Sequence, residues 1–226
     1  VVVVVVVAAA TAAAAAVAAA ATAASSPGSA PEFRAVVLTA GFWPSYPRVD
    51  GLHFPMAMLQ QMERYKKFYL AQYNGRRLNW SHTLTTCTVR GAFSGGGGKS
   101  VRKELSLSLF QTLVLLQFNP TTAGDSVVTK TMKELKEGTG ISPDANLLAT
   151  VKSLGMGKIK VLLRKRREGA EGTGADAFDF RINEALAKHK QFRLKLNAVQ
   201  LKETNEDVTK TNERVMKDRQ YVIDAT

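Results

Sequence analysis

The chain has 226 residues, of which 45% are apolar and 22% are charged, so it can bury one ordinary hydrophobic core or two small ones. Its formal net charge of +12 would attract acidic proteins, nucleic acid or anionic lipid, and the charge alone does not choose among these partners. The single cysteine, Cys87, excludes an internal disulfide framework and a cysteine-rich zinc site, and it favours a reducing compartment. We therefore expect the protein in the nucleus and cytoplasm.

Residues 1–33 form a low-complexity leader. Residues 1–7 are all valine, residues 8–24 are almost all alanine, and Ser25, Ser26, Pro27, Gly28 and Ser29 close the tract. We expect this leader to be disordered, although a valine run is also a candidate aggregating strand. A membrane span is disfavoured because alanine contributes little to insertion and no Lys or Arg precedes the tract.

Residues 34–109 have the pattern of an α/β region. Residues 34–39 are β-prone and are followed by Gly41 and Pro44, which predicts a strand and a turn. Apolar residues recur at helical spacing from 56 to 73, between Pro55 and Gly75, which predicts a helix packed against a core. Residues 84–93 and 104–109 predict two strands, and the glycine run 95–98 between them predicts a hairpin loop.

Residues 110–190 follow the element order of a winged-helix unit. Residues 110–118 form a continuous apolar run that suits a buried helix or a buried strand equally well by periodicity. Helical patterns at 127–137 and 143–154 precede predicted strands at 159–163 and 178–182, and the loop 164–177 would be the wing. Residues 191–226 then read as a returning strand and the start of a long charged helix.

The basic stretch 152–167 leaves a nucleic-acid-binding function open as an alternative. Its lysines and arginines could neutralise phosphates, and the helix 143–154 could enter a major groove. That helix is mostly apolar, however, and offers Asn146 but no Arg or Gln at obvious base-reading positions. Winged helices also serve as packing modules, and we prefer that interpretation.

The sequence shows no catalytic constellation, metal site or cofactor site. His53, His82 and His189 are far apart and have no metal-ligand spacing. Gly98, Lys99 and Ser100 imitate the end of a phosphate-binding loop, but a strand pattern follows them where a helix is required. We therefore expect a binding scaffold rather than an enzyme.

Several ordered blocks resemble the cullin family. They include LTAGFWPSY at 38–46, SLFQTLVLLQFN at 108–119, LKET at 201–204, TNERV at 211–215 and DRQYVIDA at 218–225. The resemblance covers roughly all of the chain after residue 34 and is closest to the cullin-four branch. It implies an α+β fold: a mixed α/β sheet region at 34–109, a winged-helix-like unit at 110–190 in which 110–118 is a helix, and the strand and helix of 191–226.

The resemblance further implies a non-catalytic scaffold of a multisubunit ubiquitin ligase. In that family the α/β sheet pairs with a strand of a RING-box protein, which recruits the ubiquitin-conjugating enzyme. Strands at 35–38, 84–89 and 192–196 could join such a sheet, and the sequence does not tell which edge does so. Phe192, Leu194 and Leu196 should face the core while Arg193 and Lys195 face out. The candidate partner-binding residues are Val36, Val37, Leu38, Phe192, Leu194 and Leu196.

The chain departs from the family pattern in ways that limit this expectation. The N-terminal repeats that bind substrate adaptors in the family are missing, so we do not expect adaptor binding. The lysine modified in the family is expected beyond Thr226. Loops 94–103 and 164–177 also look altered. The alternative function remains a basic winged-helix nucleic-acid binder.

Overall fold

The computed structural model describes residues 2–9, 32–39, 49–95, 99–119, 128–167 and 174–197, together with single positions between 199 and 220. Four α-helices lie within these ranges: α1 (Met56–Gln72), α2 (Leu109–Leu116), α3 (Met132–Thr139) and α4 (Asp144–Met156). The strands there are β1 (Val2–Ala9), β2 (Glu32–Thr39), β3 (Leu78–Gly95), β4 (Lys99–Ser108), β5 (Thr129–Thr131), β6 (Leu162–Arg166), β7 (Phe178–Ile182) and β8 (Arg193–Lys195).

A five-stranded mixed sheet has the order β2-β1-β3-β4-β8. Strand β1 is antiparallel to β2 and parallel to β3, while β3 and β4 form an antiparallel hairpin and β8 returns parallel to β4. The predicted glycine hairpin is confirmed, since Gly95 pairs with Lys99, although residues 96–98 lie outside the described part of the chain. The strand predicted at 84–93 is longer than expected, because it begins at Leu78.

The expectation of a disordered leader is wrong for residues 2–9, which form β1. Valine is stiff at its first side-chain torsion and favours extended backbone, which suits this run to a strand. Its backbone also gains a ladder on each side, with β2 and with β3. Residues 10–31 lie outside the described residues.

The second part of the fold is the predicted winged-helix-like unit. Strands β5, β7 and β6 form an antiparallel three-stranded sheet in that order, and helices α2, α3 and α4 belong to the same unit. The α+β fold class is thereby confirmed. The helix predicted at 127–137 starts later than expected, because Thr131 ends β5 and caps α3 through a reciprocal capping box with Glu134.

Helix α2 resolves the ambiguity that periodicity left at 110–118. Ser108 caps it, accepting from the Gln111 backbone amide while the Gln111 side chain accepts from the Ser108 amide. The residues of α2 from Leu109 to Leu115 are all buried, so no polar face marks a helical period in the sequence. The strand predicted at 104–109 therefore ends at Ser108.

The wing begins later in the chain than predicted. The predicted strand 159–163 is shifted to Leu162–Arg166, which pairs with β7. Strand β7 supplies partners for the basic residues here: Arg164 in the strand stacks over the ring of Phe178 at 5.2 Å, and Arg167, directly after the strand, donates to Asp179 at 2.9 Å. Residues 168–173 of the predicted loop lie outside the described residues.

One hydrophobic cluster connects both sheets. Leu105 on β4, Val114 on α2, Leu154 on α4 and Leu162 on β6 are all fully or almost fully buried within it. The long helix predicted near the C-terminus is described only at scattered positions, which are helical: 209, 212, 213, 216, 217, 219 and 220. Within the described ranges, no helix combines the length and the apolar character needed to cross a bilayer.

Candidate partner-binding sheet

The six predicted partner-binding residues lie at opposite ends of the five-stranded sheet. Val36, Val37 and Leu38 belong to β2, which is one edge, while Leu194 belongs to β8, which is the other. Three strands separate the two edges, which corresponds to about 19 Å at the usual strand spacing of about 4.8 Å. The structure therefore does not bring the two groups together into one site.

The β2 end of the sheet is apolar and accessible. Among the described residues β2 pairs only with β1, so its outer edge carries unpaired main-chain groups. Val36 and Val37 are 41% and 38% exposed although consecutive residues of a strand point to opposite faces. Both faces of β2 are thus open at this point. The unpaired edge is the property that strand addition by a partner requires, and the exposed valines add apolar contact area beside it.

The β8 end follows the predicted alternation only in part. Leu194 and Leu196 are buried, and Arg193 and Lys195 are exposed, as predicted. The prediction for Phe192 is wrong, because its side chain is 51% exposed. Phe192 precedes the first residue of β8, where the regular alternation has not yet begun, and its carbonyl oxygen accepts from the Glu104 amide at 2.9 Å.

Two neighbouring charged residues of β4 fix β8 in place. Lys103 is buried and its ammonium donates to the carbonyl oxygens of His189 at 2.6 Å and Gln191 at 3.1 Å. Glu104 is also buried, and it accepts 2.8 Å hydrogen bonds from Arg90 on β3 and from Arg193 on β8. A buried charge is tolerated only with such partners, so these contacts specify how the returning strand docks.

The two arginines determine the electrostatics of this face. The hydrogen bond from Arg90, with Arg193 as a further partner, holds the pKa of Glu104 below its ordinary value. Glu104, Arg90 and Arg193 line a groove of about 510 Å³ on the solvent face of the sheet, together with Glu32, Thr88, Ser106, Leu194 and Lys195. Most of the residues that line the groove are polar or charged, whereas Val36 and Val37 of β2 are apolar.

An aromatic cluster attaches β2 to the rest of the domain. The Phe33 ring on β2 lies 5.9 Å from Tyr65 on α1 and 6.2 Å from Trp80 on β3. Tyr65 and Trp80 are themselves 6.2 Å apart. Burial raises the pKa of Tyr65 above its usual value. Tyr65 thus serves packing, as predicted, and it holds β2 through a side chain in addition to backbone pairing. The same prediction is wrong for Phe68 and Tyr73, which are 59% and 43% exposed.

Cys87 and His82, two residue types that can take part in catalysis, have a packing role here. Cys87 is buried, and burial raises the pKa of its thiol to about 11, so the reactive thiolate is disfavoured. Burial also lowers the pKa of His82, whose ring lies 5.0 Å from that of Phe54. Across the part of the chain that the structure describes, no group of His, Cys, Asp and Glu could hold a metal ion.

The structural surroundings of two further motifs exclude the ligand binding that each could suggest. Lys99 and Ser100 begin strand β4, so the glycine run does not lead into a helix N-terminus and cannot form a phosphate-binding loop. Asn146, the candidate base-reading residue of α4, is buried and unable to reach a base edge. Both observations disfavour nucleotide and nucleic-acid chemistry at these positions.

Comparison with known families identifies the family of the domain that contains this sheet. Residues 37–185 match the profile of the Cullin alpha+beta domain, which covers more than half of the chain. The chain belongs to the cullin family. The matched segment begins within β2, at Val37, and extends into the winged-helix-like unit, so it contains Lys103 and Glu104 but not β1 or β8.

The curated relatives confirm the resemblance to the cullin-four branch. The chain is 41% identical to mouse Cullin-4A over 201 residues, 42% identical to human Cullin-4A over 189 residues and 34% identical to fission yeast Cullin-4 over 192 residues. These matches cover 89%, 84% and 84% of this chain but only 24%, 23% and 24% of the relatives. The chain thus spans about a quarter of the length of the cullins it matches.

Proposed function

We propose that this cullin chain is part of the non-catalytic scaffold of a ubiquitin ligase and that its five-stranded sheet binds a strand of a RING-box protein. The observation that carries the proposal is the exposed apolar β2 end of a mixed sheet within a segment that matches the cullin alpha+beta domain. A strand added to a sheet gains affinity from main-chain hydrogen bonds and register from alternate side chains.

The β2 end suits a partner strand better than the β8 end. Strand β8 has only three residues, two of which are the charged Arg193 and Lys195, and short charged edges resist strand addition. Strand β2 has eight residues and exposes Val36 and Val37. We therefore assign RING-box binding to β2 and its surroundings, with Val36, Val37 and Leu38 as contact residues, and assign a structural role to Leu194 and Leu196.

The remaining parts of the proposal follow from the scaffold role. A ubiquitin-conjugating enzyme would join only through the RING-box protein, and substrate-adaptor binding is not part of the proposal. The scaffold would act in the nucleus and cytoplasm. The purified chain alone should neither transfer ubiquitin nor hydrolyse ATP, and either activity without added enzymes would contradict a non-catalytic role.

A binding experiment with a purified RING-box protein tests the proposal. Val37→Lys, at the exposed β2 edge, should weaken capture by about ten-fold, which is about 1.4 kcal/mol. The matched control Lys195→Glu, at the other edge, should leave capture unchanged. Failure to capture the RING-box protein, combined with DNA binding that falls steeply with added salt, would instead favour a nucleic-acid function.

A further inference from the structure

Strand β1 lies inside the five-stranded sheet, between β2 and β3. It pairs with β2 from Val2↔Thr39 to Ala9↔Glu32 without interruption, and it pairs with β3 on its other side. Among the described residues, β1 is the sole backbone connection between β2 and the remaining strands. The backbone pairing of β2 with the rest of the sheet therefore depends on a strand that the low-complexity leader supplies.

The position that β1 fills would remain as a slot if β1 left. Phe33 holds β2 against Tyr65 on α1 and Trp80 on β3 through ring contacts that do not involve β1. With β2 held in this way, the separation from β2 to β3 is two strand spacings, or about 9.6 Å. That gap accepts one extended strand, which would pair with main-chain groups on both sides.

The sequence of β1 encodes no unique register. Residues 2–7 are identical valines, so a shift of the strand by two residues presents the same side chains to the same faces. The ladder with β3 is also irregular: Val5 pairs with Ser81 and Val7 pairs with Thr86, so β1 advances two residues where β3 advances five. A strand whose sequence does not specify a register, and whose ladder with β3 is interrupted, can be replaced by a strand with a specified register and a continuous ladder.

We propose that β1 is a removable closing strand, which fills in cis the slot between β2 and β3 that a partner strand takes in trans. This inference rests on the proposed function. It places the partner strand at the inner edge of β2, in the slot, rather than at the outer edge, and it adds a regulatory step to RING-box binding. The partner segment would be an extended run of alternating apolar residues, antiparallel to β2 and parallel to β3. Because only the open form binds, the apparent affinity equals the affinity of the open form multiplied by the fraction of molecules in which β1 is absent from the slot.

The test weakens β1 within the full chain. The double variant Val4→Pro/Val6→Pro removes two main-chain donors from β1, and proline is poorly tolerated inside a sheet. The matched control Ala18→Pro/Ala20→Pro makes the same change in the leader outside β1. We expect the β1 variant to capture a purified RING-box protein roughly ten-fold or more tightly than the parent and the control, because each lost ladder bond favours the open form.

Hydrogen exchange on the same proteins separates the possible failures. The β1 variant should exchange faster at 34–39 and 78–87 while α2 stays protected. Faster exchange with unchanged capture would overturn the closing-strand inference and leave RING-box binding intact. Unchanged exchange in the variant would show that β1 does not close the slot and would also overturn the inference. Capture by none of the three proteins would overturn the proposed function, and the inference with it.

Discussion

Replacing Gln111 with Ala should destabilise the domain far more than an ordinary glutamine substitution. The Gln111 side chain is fully buried, and its carbonyl oxygen accepts from the Ser108 amide at 2.9 Å. Its amide nitrogen donates to the Ser153 hydroxyl at 2.9 Å and to the Asn197 carbonyl at 3.0 Å. This one residue therefore caps α2 and connects it to α4 and to the segment after β8.

The expected loss can be assembled from these contacts. The Ser108 amide would be left buried without an acceptor, which costs about 1–3 kcal/mol, and the lost bonds to the other two partners add about 1 kcal/mol or more. Ser153 retains its 2.6 Å bond to the Thr150 carbonyl, so its hydroxyl does not become unsatisfied. We expect a total of about 2–4 kcal/mol, against a typical domain stability of about 5–15 kcal/mol.

Urea unfolding measures this loss as a lower midpoint at unchanged slope. Gln111→Met preserves most of the side-chain volume but not the hydrogen bonds. It should therefore show most of the loss expected for Gln111→Ala, which separates the contribution of the hydrogen bonds from that of packing. The control Gln60→Ala, on the exposed surface of α1, should change the free energy of unfolding by less than about 0.5 kcal/mol. A loss below about 1 kcal/mol for Gln111→Ala would refute the assigned hydrogen-bond network.

Three further predictions follow from buried groups of the sheet. Leu194→Ala should cost about 2–5 kcal/mol in urea unfolding, and Lys195→Ala less than about 0.5 kcal/mol; equal losses would contradict the register of β8. The lowered pKa of Glu104 means that its stabilising contribution is complete above the unfolded-state pKa of about 4.3 and is lost as the pH falls through the folded-state value. Glu104→Gln should accordingly flatten the acid side of the stability–pH curve, and an unaltered curve would contradict the contacts of Glu104. Cys87, with a pKa of about 11, should resist alkylation at pH 8 in the folded protein and react after unfolding in denaturant; rapid reaction of the folded protein would show that the thiol is exposed.

Local patterns in the sequence predicted the elements whose two faces differ. Helix α1 and the hairpin of β3 and β4 were recognised because apolar residues recur on one side, and Leu194 was placed correctly by the same alternation. Helix α2 was undecided because it is buried on every side, and only the family resemblance indicated a helix. Phe192 was misplaced because alternation was extended past the first residue of β8.

Long-range partners account for the rest of what the sequence did not reveal. Glu104 meets Arg90 and Arg193, which are 14 and 89 residues away in the chain, and no local pattern marks such a pair. The composition of the valine run predicts disorder because it does not indicate which strands could pair with it. In the structure β2 and β3 each form a ladder with this run. The basic end of β6 was assigned to a loop for the same reason, since Phe178 and Asp179 of β7 are its partners.

The hydrogen-exchange footprint of a RING-box protein on this chain tests the central claim most directly. The account predicts a saturable complex in which β1 exchanges faster than in the free chain while the amides of β2 and of β3 at 78–87 stay protected, and in which β5, β6 and β7 of the three-stranded sheet exchange as in the free chain. Absence of a complex, or protection confined to the three-stranded sheet and its basic wing, would contradict the assignment of this cullin sheet as the surface that binds the RING-box strand.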